Sequence, residues 1–133
     1  MDQYRQNRVK RLQQYIGEQG LDAMLITSQD AIYYLSGASY TPVERPFFII
    51  IRPEGSPSLV VPRLEYEHMM KVEGFGDIHY YFEYPSIPGQ NWYDYIAQDV
   101  RENASSALSR RCRLHTGTSS WQRKPLSLTI LTR

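Results

Sequence analysis

The sequence predicts an α/β domain, a mixed β-sheet of about five or six strands flanked by helices. Three observations carry that prediction. Hydrophobic periodicity switches along the chain in the order helix, strand, short helix, two strands, helix, strand, long helix, with one or two short strands to follow. One strand, Phe47-Phe48-Ile49-Ile50-Ile51, is apolar on both faces, which suits a strand covered from both sides. The chain has 133 residues, 41% hydrophobic and 22% charged, enough for one compact domain that buries roughly two-thirds of its unfolded surface.

Each element follows from its residues. From Tyr4 to Gln19, Val9, Leu12, Tyr15 and Ile16 fall on one helical face, and Gly20 supplies a left-handed stop. Ala23-Met24-Leu25-Ile26 is a short apolar run between polar residues, a buried strand. Ser28 and Asp30 can cap a short helix through Ala31, Ile32, Tyr34 and Leu35 that ends at Gly37. Pro46 opens the Phe47–Ile51 strand, Arg52-Pro53-Glu54-Gly55-Ser56 turns the chain, and Ser58-Leu59-Val60-Val61 returns as a hairpin. Pro62 and Arg63 introduce a helix from Leu64 to about Val72, with Leu64, His68 and Val72 on one stripe, broken by Gly74 and Gly76. Asp77 to Tyr84 reads as a strand, and Pro85, Pro88 and Gly89 as a loop. A long helix then repeats Trp92, Ile96, Val100, Ala104 and Leu108, with Asn91 as N-cap. The last candidate strands lie near Cys112–His115 and Leu126–Thr132.

The net charge of +1 hides a split: residues 1–102 sum to −5 and hold every acidic residue, whereas residues 103–133 sum to +6. The expected division is a domain over residues 1–110 and a basic, Ser/Thr-rich tail over 111–133. Three readings of the tail stay open: a basic arm for nucleic acid, a terminal strand region, or an aberrant end such as a frameshifted sequence. No apolar run approaches the ~20 residues of a membrane-spanning helix. The first residues lack the apolar stretch of a secretory signal, so a cytoplasmic location is expected, and the single Cys112 forms no internal disulfide.

Self-sufficient chemistry is not legible. His68, His79 and His115 have no metal-ligand spacing, and the pairs Glu65/Glu67, Glu73/Asp77 and Asp99/Glu102 read as solvated faces. Gly74-Phe75-Gly76 lacks the third glycine and following helix of a phosphate loop, and Cys112 has no base beside it. No catalytic residue and no metal ligand is therefore assigned to this chain.

A series of spaced motifs carries a resemblance. Leu21-Asp22-Ala23-Met24-Leu25-Ile26-Thr27-Ser28, Asp30-Ala31-Ile32-Tyr33-Tyr34-Leu35-Ser36-Gly37, Glu44-Arg45-Pro46-Phe47 and Val61-Pro62-Arg63-Leu64-Glu65 occur in order. Over about residues 5–102 the chain resembles the N-terminal domain of the creatinase/prolidase family. The resemblance implies a ribonuclease H-like layout in front of a C-terminal pita-bread domain. In the proline-specific peptidases of the family that second domain holds two divalent metals; in creatinase the chemistry is metal-free. The pita-bread domain is missing from these residues, and no carboxylate follows Glu102 to supply such a site.

The implied function is that of a non-catalytic N-terminal domain of a proline dipeptidase or aminopeptidase-like hydrolase, serving oligomerisation and the mouth of the active site. By the same resemblance Arg45 meets a substrate carboxylate, a geometry suited to a guanidinium fork, and Tyr34 and Tyr40 line the mouth. The alternatives are that Arg45 pairs with Glu44 or another local acid and that the tyrosines pack. Tyr80, Tyr81, Tyr84, Tyr93 and Tyr95 suit either a subunit interface or packing beneath the long helix. The expected partners are a second copy, as a homodimer or other self-association, and the missing catalytic domain. Nucleic acid bound by the basic tail belongs to the alternative reading, a stand-alone binding module. A small enzyme built on His68 or His79 is a third.

Overall fold

A computed structural model describes residues 3–40, 45–83 and 87–102, and the backbone of 128–131. Helix α1 (Gln3–Glu18) leads to β1 (Ala23–Ile26), α2 (Gln29–Ser36), β2 (Phe48–Ile51) and β3 (Ser58–Pro62). A 3₁₀ turn (Arg63–Glu65), α3 (Tyr66–Met69) and β4 (Asp77–Tyr81) follow, then helical residues 92–102, α4, and β5 (Leu128–Leu131). The five strands form one sheet in the order β4-β3-β2-β1-β5, the lower end of the expected number. β5 falls inside the Leu126–Thr132 segment and pairs parallel with β1, in register Ala23 to Leu128 and Ile26 to Leu131. The candidate strand at Cys112–His115, and Ala104 and Leu108 of the long-helix pattern, lie outside the described residues.

Local chemistry sets the ends of the first elements. Gly20 stands at φ 65° and closes α1 with the paired bonds of a Schellman motif: Gly20 N–H donates to Gly17 O at 3.1 Å and Leu21 N–H to Ile16 O at 3.0 Å. Leu21 and Ile16 also share the core, the hydrophobic contact that accompanies that motif. At α2, Ala31 N–H donates to Ser28 Oγ at 3.1 Å, and Gly37 ends the helix at φ 73° with its N–H on Tyr33 O. The buried Ser36 hydroxyl donates to Ile32 O at 2.6 Å and accepts from Ala38 N–H at 2.9 Å, which fixes the exit of the chain. At α4, Asn91 Oδ1 accepts from Trp92 N–H at 2.7 Å while Asp94 Oδ2 accepts from Asn91 N–H at 3.1 Å. The second of these is the return bond of a capping box, from the N-cap N–H to the side chain three residues on.

The double-sided hydrophobicity of β2 has its counterpart in two separate cores. Ile49 and Ile51 join Met24, Ile26, Leu59 and Val61 against α1, α2 and α3, through Val9, Ile16, Ile32, Leu35 and Met69. Phe48 and Ile50 join Leu25, Val60 and Tyr81 on the opposite face, where Trp92, Tyr95 and Ile96 of α4 pack. Phe48 and Trp92 stack at 5.2 Å between ring centroids. Arg52 forms an ion pair with Asp99, tying the end of β2 to α4. Gln13 Nε2 donates to Arg52 O and Gly55 O, tying α1 to the hairpin turn.

Two expected elements are shorter than their patterns. The helix expected from Leu64 to about Val72 is a 3₁₀ turn followed by four α-helical residues, and its stripe is rotated: Leu64 is 72% exposed and His68 is exposed, while Met69 is buried. A 3₁₀ turn has 3.0 residues per turn rather than 3.6, so the phase read from Leu64 is lost by the time α3 begins. The strand expected from Asp77 to Tyr84 stops at Tyr81, because Phe82 N–H turns away to Gln90 O at 3.0 Å.

Candidate functional site

β1 runs antiparallel to β2, β2 antiparallel to β3, β3 parallel to β4, and β1 parallel to β5. Four strands therefore point one way and β2 alone points back. Their carboxyl ends, at Ile26, Pro62, Tyr81 and Leu131, meet the start of β2 at one end of the sheet. That end of an open α/β sheet is where its crevice for ligands forms. It gathers the Ser28 cap, Arg45, Arg63 and Glu83.

Arg45 Nε contacts Glu83 Oε2 at 2.5 Å, with the two side chains 44% and 24% exposed. The connection holding Arg45 is anchored from the sheet, for the Tyr81 hydroxyl donates to Pro46 O at 3.0 Å. Burial pushes the Tyr81 phenol well above its ordinary value, the Glu83 carboxylate adds to the rise, and the Arg45 cation opposes it. A neutral phenol that donates a hydrogen bond is the outcome. An ion pair this exposed contributes little stability, at most about 1 kcal/mol. Its effect is to hold the guanidinium by Nε; among the described residues nothing engages the two terminal nitrogens, which are donors suited to an anion.

Tyr40 lies on the same connection. Its ring stacks on Phe47 with centroids 3.7 Å apart and planes at 20°, and it is 8% exposed, so burial raises its phenol also. Gln29 Nε2 donates to Tyr40 O at 2.7 Å, linking the start of α2 to this connection. Tyr34 is placed differently, at the contact of α2 with α1, where Arg8 lies 3.8 Å over its ring and donates to Tyr34 O at 2.6 Å. The fold thus brings Arg45 and Tyr40 onto one short connection and sets Tyr34 on the helical layer.

Glu83, Tyr81 and Arg8 escaped the sequence reading as partners of these residues. Glu83 comes from just beyond the far end of β4, and only the sheet order joins it to Arg45; the local acid Glu44 lies outside the described residues. Of the aromatic group around β4, Tyr80 packs edge-on against Tyr66 at 4.8 Å and Phe82 at 5.7 Å, with Arg63 5.0 Å above its ring. Tyr95 lies 5.9 Å from the His79 ring and Tyr93 is exposed; Tyr84 lies outside the described residues. His68 sits 3.7 Å from Glu65. Among the described residues no three His, Cys, Asp or Glu side chains come together as a metal site, so no step through a metal is derived for this chain. No described helix is long and apolar enough to cross a membrane.

Comparison with known proteins points the same way as the fold. The family described as the Creatinase/Prolidase N-terminal domain matches residues 8–116. An Xaa-Pro dipeptidase of Lactobacillus helveticus is 27% identical over 95 residues, which are 71% of this chain and 24% of that protein. The chain thus spans about a quarter of the length of the curated relative it matches. Among solved structures, the N-terminal domain of Xaa-Pro dipeptidase from Lactobacillus brevis superposes with a TM-score of 0.63 at 21% identity, over 73% of this chain and 69% of that one. A recombinant prolidase from Thermococcus sibiricus gives 0.61 at 18% identity, over 98% of this chain and 34% of its own. The mixed sheet, its helical layers and the match over residues 8–116 together lead to one conclusion: the chain belongs to the creatinase/prolidase N-terminal domain family.

Proposed function

We propose that the chain acts as the non-catalytic N-terminal domain of a proline-dipeptidase-type hydrolase, self-associating and contributing Arg45 to the mouth of the active site. The observation that carries this reading is the match of residues 8–116 to an N-terminal domain, in a chain that spans a quarter of a dipeptidase relative. The half-exposed guanidinium of Arg45, held through Nε by Glu83 at the carboxyl end of the sheet, supports a role toward a peptide carboxylate. Tyr40, buried against Phe47, steadies that connection, and Tyr34 contributes from the neighbouring helical layer. Proton transfer, and the two divalent metals where the whole protein is a peptidase, belong to a separate catalytic domain.

The test is direct. The purified chain, incubated with an Xaa-Pro dipeptide and added manganese or cobalt, is expected to release no proline. Turnover that survives removal of contaminating peptidase overturns the reading. Within a whole enzyme, Arg45→Ala is expected to raise KM for Xaa-Pro dipeptides far more than it lowers kcat, since a binding contact made equally in ground and transition states is lost.

A further inference from the structure

Glu83 meets Arg45 at one edge of the guanidinium. Its Oε2 lies 2.5 Å from Nε, and the Glu83 side chain is the more enclosed of the two. An anion taken by the terminal nitrogens sits end-on to the guanidinium, with Glu83 at its side, so the two negative groups stand roughly 6 Å apart. Neither partner is free to swing away. Tyr81 ends β4, Glu83 lies just beyond it, and the Tyr81 hydroxyl donates to Pro46 O, next to Arg45, at 3.0 Å. Phe47 then stacks on the buried Tyr40, which fixes the connection on both sides of Arg45.

The charge of Glu83 bears on which anion the site favours. An unpaired guanidinium attracts a doubly charged ligand more strongly than a singly charged one, because Coulomb attraction scales with ligand charge. Repulsion from Glu83 scales in the same way and offsets that advantage. The larger cost of stripping water from a dianion is then left unrepaid, and the singly charged group is preferred. Tyr81 senses the same field. After burial, Glu83 is the larger influence that raises its phenol pKa, and the opposing effect of Arg45 is smaller. Arg45 therefore does not cancel Glu83 for a neighbouring group, and a second negative charge beside the pair is disfavoured.

We propose that Glu83 is a specificity-determining residue of this site: its charge beside Arg45 tunes the guanidinium to a singly charged carboxylate, the free carboxyl end of a dipeptide, over a doubly charged group such as a phosphonate. The proposal rests on the reading of Arg45 given above and adds what selects its ligand.

Competition kinetics on a whole enzyme carrying these residues test it. KM is measured for Ala-Pro, and Ki for the analogue whose carboxylate is replaced by phosphonate, at a pH where the phosphonate is doubly ionised. The ratio of Ki to KM cancels any effect common to the two ligands. Glu83→Gln keeps an oxygen that can accept from Nε and removes the charge. It is expected to shift the ratio about tenfold toward the phosphonate, the effect of one unit charge at roughly 6 Å in a half-exposed site. Glu83→Asp keeps the charge on a shorter arm and is expected to hold the ratio within about twofold of wild type. A ratio that Glu83→Gln leaves unmoved, or that Glu83→Asp moves as far, overturns the role of Glu83 while Arg45→Ala still raises KM. An Arg45→Ala enzyme with unaltered KM overturns the carboxylate contact itself, and this proposal with it.

Discussion

Gly37 is the residue whose replacement is most sharply constrained. It stands at φ 73°, and an added Cβ would lie 2.4 Å from Arg5 Cζ and 2.5 Å from both terminal nitrogens of that guanidinium. The left-handed backbone costs an L-residue roughly 1–2 kcal/mol. The clash itself is relieved by swinging Arg5 away, which gives up the 3.3 Å bond from Arg5 Nη1 to Ser36 O, a partly buried contact contributing about 1 kcal/mol. Gly37→Ala is therefore expected to lose about 2–3 kcal/mol in urea unfolding followed by circular dichroism. In an Arg5→Ala background the clash and its bond are already absent, so the same substitution is expected to cost only the backbone part, about 1–2 kcal/mol. The double-mutant cycle then isolates a coupling of about 1 kcal/mol between the two positions. A loss below about 0.5 kcal/mol in the wild-type background, or equal losses in both, refutes the assignment of Arg5 as the group Gly37 accommodates.

Further outcomes follow from the same contacts. Ser28→Ala removes the cap of α2 and is expected to lower the unfolding free energy by about 1 kcal/mol, with Ser28→Asp restoring it. Ile49→Ala, at a fully buried position of the central strand, is expected to cost about 2–5 kcal/mol by the same unfolding assay. The phenols of Tyr40 and Tyr81 are raised by burial, so the folded state holds their protons more tightly than the unfolded chain does. Their contribution is complete below the ordinary tyrosine pKa of about 10 and is lost as pH rises beyond it, so stability falls above about pH 10. Alkaline difference spectroscopy is expected to lose the late-ionising component assigned to Tyr40 and Tyr81 when both are replaced by Phe, whereas an unchanged titration contradicts their placement.

Features encoded within a few residues were legible in the sequence. The left-handed glycines at 20 and 37, the Ser28 cap and the doubly apolar β2 each depend on neighbours close in the chain, and each took the expected form. The stripe through Leu64 and His68 was misread because helical phase was counted through a 3₁₀ turn. At the candidate site Arg45 was identified from a motif, but its partner was not. Glu83 reaches it only because β4 runs parallel to β3 and ends beside the start of β2, a relation no local pattern contains. The same holds for Arg8 and Tyr34, which meet where two helices pack.

The pairing of β5 with β1 bears on how the chain is born. About 100 residues separate Ile26 from Leu128, and at ~5–20 residues per second the ribosome needs on the order of 5–20 s to supply the second strand after the first. During that interval β1 has β2 on one side and a bare row of backbone donors and acceptors on the other. Met24, Leu25 and Ile26 line it, with no charge or proline among them to discourage a stranger. Such a half-made sheet on a crowded polysome is a template for the β1 of a neighbouring nascent chain. Covering that edge until β5 emerges is therefore a condition for the nascent chain to reach its own sheet.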